Sequence, residues 1–246
     1  EIRPRDWSSD VCSSDLLNTG AAAFVGVESG DTVTIGVGSV AGAFDDANVG
    51  SGKSVTVTGV SKSGADAANY TITQPFASAD ITQASSGLSW ATPADITFGT
   101  SLSSSQLNAT ASVAGNPVYD RATGERLNAG THILSVTFTP DSNNYAVESA
   151  TVSLVVNPKA LTITADDVSI TYGGTVTQSF TPTGLSSPDT ASSVTYRYAG
   201  TGSTTYSSST TPPSTAGSYS ITPSAVVMSS GLVSNYTVTY TAGALS

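Results

Sequence analysis

Apolar and polar residues alternate with a period of two along much of the chain. This alternation places every second side chain on one face of an extended strand and is typical of half-buried β-strands. No long window has the 3.6-residue period of an amphipathic helix. The sequence therefore predicts an all-β fold. The clearest alternating windows are Val33-Ile35-Val37, Val55-Val57, Leu134-Val136-Phe138, Val152-Leu154-Val156, Leu161-Ile163, Tyr196-Tyr198 and Tyr236-Val238-Tyr240.

The dipeptide Asn-Tyr occurs three times, and each copy comes after a Gly-bearing turn, an alternating strand and a short polar loop. The copies are 75 and 91 residues apart, which is too long for a solenoid unit and suits whole small β-domains joined end to end. We expect each Tyr to close the loop end of a core, with its hydroxyl bonded to a nearby backbone carbonyl. We expect each Gly to need a positive φ or a close strand approach. These structural positions are Tyr70, Tyr145 and Tyr236, with Gly50, Gly130 and Gly217.

A second phrase, an aromatic residue followed by Gly, marks where domains begin. It occurs in Ile96-Thr97-Phe98-Gly99-Thr100 and in Ile170-Thr171-Tyr172-Gly173-Gly174. The ring is predicted to cover one end of a core at the end of a first strand, and the Gly to turn the chain sharply. Phe98, Gly99, Tyr172 and Gly173 are therefore predicted to be structural positions.

These spacings divide the chain into four segments. Residues 1–16 have a composition unrelated to the rest of the chain and resemble a translated sequencing-library adapter, so they are left out of the fold prediction. Residues 17–82 are predicted to be a partial β-domain without its first strand, 83–157 a complete β-sandwich, and 158–246 a β-sandwich truncated in its last strand. The short hinge Asn157-Pro158-Lys159 favours an extended array over a compact globule.

The charge and cysteine content exclude several classes of function. The net charge is −10 and there are only eight Lys and Arg, so nucleic-acid binding, which needs clustered cations, is not expected. No stretch of the sequence is apolar enough to predict a membrane span. Residues 17–246 contain no Cys, which excludes a disulfide framework and a thiol nucleophile there.

No motif concentrates catalytic or metal-binding chemistry, and the sequence predicts no catalytic residue and no cofactor. His132 is the only imidazole and is interpreted as an exposed residue at a strand end. Asp166 and Asp167 are calcium candidates beside a domain junction, with a plain turn as the alternative. Three aromatic residues are candidates for stacking on a sugar ligand, with a core role as the alternative: Tyr196, Tyr206 and Tyr219.

The repeated segments resemble known repeat families of large secreted bacterial surface proteins. Residues 48–73, NVGSGKSVTVTGVSKSGADAANYTIT, resemble the C-terminal half of the YDG domain, although the Tyr-Asp-Gly phrase is absent. The stretch from Ile170 to Tyr236 resembles the MBG domain of the YGX type. Residues 128–156, NAGTHILSVTFTPDSNNYAVESATVSLVV, are similar to a bacterial immunoglobulin-like repeat. The resemblance implies tandem Ig-like β-sandwich domains and carries no catalytic residue.

Three functional hypotheses arise from these observations. The first is a non-catalytic stalk or spacer of a bacterial cell-surface or secreted adhesin, whose partners are the neighbouring repeats of the same polypeptide. The second is a module that binds an extracellular glycan or a host protein, which exposure of the three candidate tyrosines would favour. The third is the accessory part of an extracellular enzyme. The first also implies an extracellular or cell-surface location.

Overall fold

The computed structural model describes residues 26–246. The predictions for residues 1–16, and for the missing first strand of the first repeat, concern positions outside this range. The described residues form an all-β structure of fifteen strands and two short 3-10 turns, as the alternation predicted. No helix within it is long and apolar enough to span a bilayer.

The first repeat contains two small sheets. One pairs β1 with β4 antiparallel, with Ile35 opposite Lys62. The other has the strand order β2-β3-β5, all antiparallel, and buries Val55 and Val57 on one face of β3. A 3-10 turn, Ala67–Asn69, precedes Tyr70. The strands are β1 (Thr34–Gly36), β2 (Ala41–Phe44), β3 (Gly50–Thr58), β4 (Ser61–Ser63) and β5 (Phe76–Ile81).

The middle repeat is built on a four-stranded sheet in the order β6-β9-β8-β7. Its first strand pairs parallel with its last, with Ile96 level with Val156. A core of buried aliphatic residues includes Leu134 and Leu154 from the two long strands, and Trp90 and Phe98 pack against it. The strands are β6 (Ile96–Thr97), β7 (Gly115–Tyr119), β8 (Gly130–Pro140) and β9 (Glu148–Asn157).

The third repeat is a sandwich of two three-stranded sheets, β11-β10-β14 and β12-β13-β15. Strands β10 and β14 run parallel, with Ile163 level with Tyr240, and the 3-10 turn Val233–Asn235 leads into β14. The sheets share a core because β10 contributes Leu161 and Ile163, and β13 contributes Val226. The strands are β10 (Lys159–Ala165), β11 (Phe180–Thr183), β12 (Thr190–Gly200), β13 (Tyr219–Ser230), β14 (Tyr236–Thr241) and β15 (Gly243–Leu245).

Backbone contacts group the chain into two compact units. The first comprises the described part of Glu1–Leu88 with Ala111–Pro117 and Thr137–Ser149, and the second comprises Ser89–Thr110, Val118–Val136 and Ala150–Ser246. Both units take residues from 83–157, so this grouping does not test the division into three domains. That division stays a prediction.

Candidate functional site

The Asn of the third Asn-Tyr pair binds the Gly-bearing turn of the preceding repeat. The backbone N–H of Ala129 donates to Asn235 Oδ1 over 2.8 Å, and Asn235 Nδ2 donates to Asn128 Oδ1 over 3.0 Å. Asn235 is only 2% exposed. A buried amide needs both its acceptor and its donor satisfied, and here the turn of another repeat supplies one partner for each.

The second Asn-Tyr pair makes the same two bonds. The N–H of Val49 donates to Asn144 Oδ1 over 2.8 Å, and Asn144 Nδ2 donates to Asn48 Oδ1 over 3.2 Å. Asn144 is half-buried. We call this arrangement, the Asn of an Asn-Tyr pair bound to an Asn-x-Gly turn of the repeat before it, the Asn-Tyr joint. The recurrence of both bonds shows that the contact belongs to the repeat pattern.

Local backbone structure aims the Asn side chain at the turn. In the third repeat, Val233–Asn235 form a 3-10 turn that ends when the N–H of Tyr236 donates to the carbonyl of Val233. In the middle repeat, the N–H of Tyr145 donates to the carbonyl of Ser142 over 3.2 Å and forms a comparable turn. The Tyr that comes next then enters an extended segment, which separates the directions of the two side chains.

Tyr236 fixes the joint from the side of the third repeat. Its ring is 6% exposed and meets Phe98 edge to face, with ring centroids 5.4 Å apart. Its hydroxyl accepts the N–H of Ser186 over 3.0 Å and donates to Asp189 Oδ2 over 2.6 Å. The predicted backbone-carbonyl acceptor is therefore wrong, because a carboxylate occupies that place. Burial, and then the bond to Asp189, raises the pKa of the Tyr236 hydroxyl.

The same hydroxyl pattern recurs in the first repeat. Tyr70 accepts the N–H of Glu28 over 3.0 Å and donates to Asp31 Oδ2 over 2.6 Å. The bond to Asp31 raises the pKa of the Tyr70 hydroxyl. In both repeats the N–H donor lies three residues before an Asp-Thr dipeptide. Sequence reasoning missed this spacing, which would have indicated a partner for each Tyr. Tyr145, in the middle repeat, is half-buried.

The repeated glycines do not share one role. Gly99 has φ +98°, and a Cβ there would lie 2.6 Å from Ser186 Oγ, so this position requires Gly. Gly217 lies without a positive φ against Thr204, where a Cβ would approach Cγ2 to 2.6 Å. Gly50 has no positive φ, and a Cβ there would meet only the flexible side chain of Lys53, so the requirement predicted for Gly50 is not seen. Gly130 (φ +136°) and Gly173 (φ +85°) have left-handed backbones with open space around them.

The two aromatic residues of the domain-start phrase lie in different environments. Phe98 is half-buried and packs against the cores of both the middle and the third repeat. Tyr172 is 86% exposed and lies in a turn. The prediction that Tyr172 covers one end of a core is therefore wrong. Phe98 owes part of its burial to Tyr236, an aromatic partner from the following repeat.

The three tyrosines proposed for sugar stacking do not form an exposed platform. Tyr219 is 3% exposed, and its hydroxyl donates to the carbonyl of Thr215 over 2.6 Å. Tyr196 and Tyr206 are half-buried against the same core, and Tyr206 meets Tyr219 edge to face. Because their faces pack on protein, these rings are unsuited to a sugar ligand.

The remaining candidates have protein partners. Asp166 accepts hydrogen bonds from Ser179 Oγ and Thr181 Oγ1, and Asp167 Oδ1 accepts the N–H of Ala244 over 2.7 Å. His132 is half-buried within β8 rather than exposed at its end, and its Nε2 lies 2.7 Å from the carbonyl of Asn128. Within residues 26–246 no three metal-ligating side chains come together.

Glu148, the first residue of β9, binds the segment Ser86–Leu88, which precedes Trp90. Its carboxylate accepts the N–H and the Oγ–H of Ser86, at 3.2 and 2.8 Å, and the N–H of Leu88 over 3.0 Å. Hydrogen bonds from Ser85, Ser86 and Leu88 lower the pKa of this carboxyl.

This carboxylate predicts a dependence of stability on pH. A lowered folded-state pKa stabilises the protein above the unfolded value of about 4.3, and the contribution disappears as pH falls through the folded value. Glu148→Gln is therefore expected to lower the urea midpoint at pH 7 but to leave it nearly unchanged at the acid end. Glu125→Gln, which removes a half-exposed ion pair with Arg121, is the matched control and is expected to change stability by less than about 0.5 kcal/mol. An equal effect of Glu148→Gln at both pH values would contradict this account.

Comparison with known families agrees with the repeat pattern. The YDG domain matches residues 15–79, and the MBG domain (YGX type) matches residues 161–246. The first match begins two residues inside the adapter-like segment. The bacterial Ig-like assignment of the middle repeat stays a prediction. No curated protein and no solved structure matches the chain. The chain thus contains a YDG domain and an MBG domain (YGX type) and is a repeat-containing, all-β protein.

Proposed function

We propose that this chain is a non-catalytic stalk or spacer segment of a bacterial cell-surface or secreted adhesin. The observation that carries the proposal is the Asn-Tyr joint, which occurs at each of the two predicted junctions between successive repeats. A spacer transmits position and force only if its domains do not swivel freely, and a direct side-chain clamp at each junction opposes such motion. The proposed partners are neighbouring repeats, and the proposed location is extracellular.

The hydrogen-bond pattern supports a mechanical role for the joint. Each Asn side chain binds one backbone N–H and one side-chain oxygen, so two bonds from one planar amide oppose rotation about either bond. At the second junction, Arg126 Nη1 donates to the carbonyl of Ser187 in the third repeat, while its Nε is held by the carbonyl of Gly99 in its own repeat over 3.2 Å. Edge-to-face packing of Phe98 and Tyr236 adds contact that does not depend on charge.

Single-pair fluorescence energy transfer tests the proposal on the whole chain. Dyes attached through Ser63→Cys and Ser207→Cys, in a Cys12→Ser background, report the distance between the first and third repeats. We expect one narrow distance distribution, which the paired substitutions Asn144→Ala and Asn235→Ala broaden by loosening both joints.

The matched control replaces neighbouring exposed polar residues of the same loops, Asn143→Ala and Ser234→Ala, and should leave the distribution unchanged. A distribution of equal width in both double variants would count against a stiff spacer. Binding to a glycan array that is lost on Tyr196→Ala or Tyr206→Ala would instead favour the ligand-binding module.

A further inference from the structure

The third repeat carries a pocket of about 390 Å³ between two segments that have counterparts in the middle repeat. One side is formed by Ile170–Val176 and the other by Pro212–Gly217. The first contains the aromatic-Gly phrase, here Tyr172-Gly173, and the second contains the Gly-bearing turn. In the middle repeat the same two segments, around Phe98 and Ala129, hold Tyr236 and Asn235.

Backbone register agrees with this equivalence once the repeats are aligned on their Asn-Tyr pairs, which makes Ser246 equivalent to Val155. In the middle repeat the N–H of Phe98 donates to the carbonyl of Asn157 in a parallel pair. In the third repeat the N–H of Ile170 donates to the carbonyl of Ser246, next to the parallel bridge between Val168 and Leu245. With that alignment, the pairing of Val168 with Leu245 corresponds to a parallel pair two residues before Ile96 and Val156, which places Tyr172 at the position of Phe98.

The equivalent groups differ in exposure. Val49 and Ala129, whose N–H groups bind an Asn side chain, are half-buried, whereas Ala216 at the same turn position is exposed. Phe98 is half-buried beneath Tyr236, whereas Tyr172 is 86% exposed. Two positions that are covered in the middle repeat, an aromatic face and a turn amide, are thus both accessible in the third.

We infer that this pocket is a docking surface for the Asn-Tyr turn of a further repeat of the same type. The inference rests on the proposed spacer function and extends it. The N–H of Ala216 donates to the Asn side-chain oxygen of the incoming repeat, and the ring of Tyr172 packs against the incoming Tyr. An Asn-Tyr turn suits the pocket because it presents an amide acceptor and an aromatic edge at the spacing that the middle repeat accommodates.

One difference predicts that this joint is the weaker one. Thr215 stands where the other turns have Asn48 and Asn128, whose side-chain oxygens accept the second amide bond. The Thr215 hydroxyl lies 2.9 Å from the hydroxyl of Tyr219 and is thereby held within its own repeat. The incoming Asn therefore gains one bond at this turn in place of two, and Thr215→Asn should restore the second.

An extended chain tests the inference. Ser246 occupies the position in the third repeat that Val155 occupies in the middle repeat. A second copy of residues 156–246 is therefore joined directly after Ser246, which places a further Asn-Tyr turn at the pocket. Tetranitromethane modification of Tyr172 and hydrogen exchange at residues 212–217 are followed by mass spectrometry. Relative to the unextended chain, we expect both to slow at least about five-fold. Thr215→Asn should slow the exchange further, and Asn235→Ala in the appended copy should reverse most of the protection.

Each other outcome overturns the inference. Unchanged reactivity of Tyr172, with protected amides in residues 161–165 of the appended copy as evidence that it has folded, would show that the turn does not dock. Protection that survives Asn235→Ala in the appended copy would show that the connecting strand covers the pocket. Protection of Tyr172 in the unextended chain that grows with concentration would assign the pocket to a second copy. The spacer proposal is judged separately, by the energy-transfer widths of the unextended chain.

Discussion

Replacing Tyr236 by Ala is expected to destabilise the third repeat by about 3–5 kcal/mol, the range typical of removing a large buried aromatic ring. The ring is 6% exposed and packs in the core that contains Leu161, Ile163 and Val226. It also supplies the aromatic partner of Phe98. For a domain of this size the loss corresponds to a fall in Tm of more than about 10 °C. Calorimetry gives the transition, and hydrogen exchange in residues 159–246 assigns it to the third repeat.

Tyr236→Phe separates the hydroxyl from the ring. It keeps the packing but leaves the N–H of Ser186 and the carboxylate of Asp189 without this partner, which costs about 1–3 kcal/mol. Because the folded-state pKa of Tyr236 is raised, its contribution is present below the unfolded value of about 10 and is lost as pH rises through the folded value. The difference between wild type and Tyr236→Phe should therefore shrink in alkaline solution. Equal destabilisation by the two substitutions would show that the hydroxyl, and not the ring, carries the effect.

The alternating windows predicted the cores well because burial in a β-sheet follows a period of two. Leu134, Val136 and Phe138 are all buried along β8, and Val152, Leu154 and Val156 along β9. The parallel pairing of β10 with β14 was not predicted, since alternation specifies which face is buried but not which strand lies alongside.

The Asn-Tyr pairs are recognisable in the sequence as repeat positions, but the sequence does not reveal what the Asn does. Alternation and aromatic character point to the Tyr as the structural residue, whereas the Asn stands out only as part of the signature. The partners of Asn235 lie 106 and 107 residues away along the chain. No local pattern reports a contact at that separation. Only the co-occurrence of Asn-Tyr with an Asn-x-Gly turn in the repeat before it could have suggested the pairing.

Phe98 and Tyr172 show how far a sequence phrase determines an environment. Both come after Ile-Thr and precede Gly, so the same role is expected for both. Phe98 is covered by a residue from the next repeat, and Tyr172 is exposed. At Phe98 the burial of the phrase is therefore a property of two repeats together, and no pattern within the phrase itself specifies it.

Asn235→Ala is expected to destabilise the chain by about 1–3 kcal/mol, because it removes a side chain that is 2% exposed together with both of its hydrogen bonds, and leaves the half-buried N–H of Ala129 without this acceptor. Asn144→Ala removes the same two bonds at a half-buried position, where water can replace the lost partner. We therefore expect a smaller loss for Asn144→Ala, below about 1 kcal/mol.

The comparison isolates the effect of burial, since the residue type, the substitution and both bonding partners are alike at the two joints. Hydrogen exchange measured at increasing urea concentration gives the free energy of unfolding for each variant. The reporting amide is that of Ala129 for Asn235→Ala and that of Val49 for Asn144→Ala. The exchange rate of the named amide should rise in each variant because its acceptor is gone. Equal losses at the two joints would mean that the amide bonds contribute independently of burial, and the joint would then be better explained by the packing of Tyr236 on Phe98 than by its Asn. A larger loss at Asn235 would show that burial of the amide strengthens its contribution to stability.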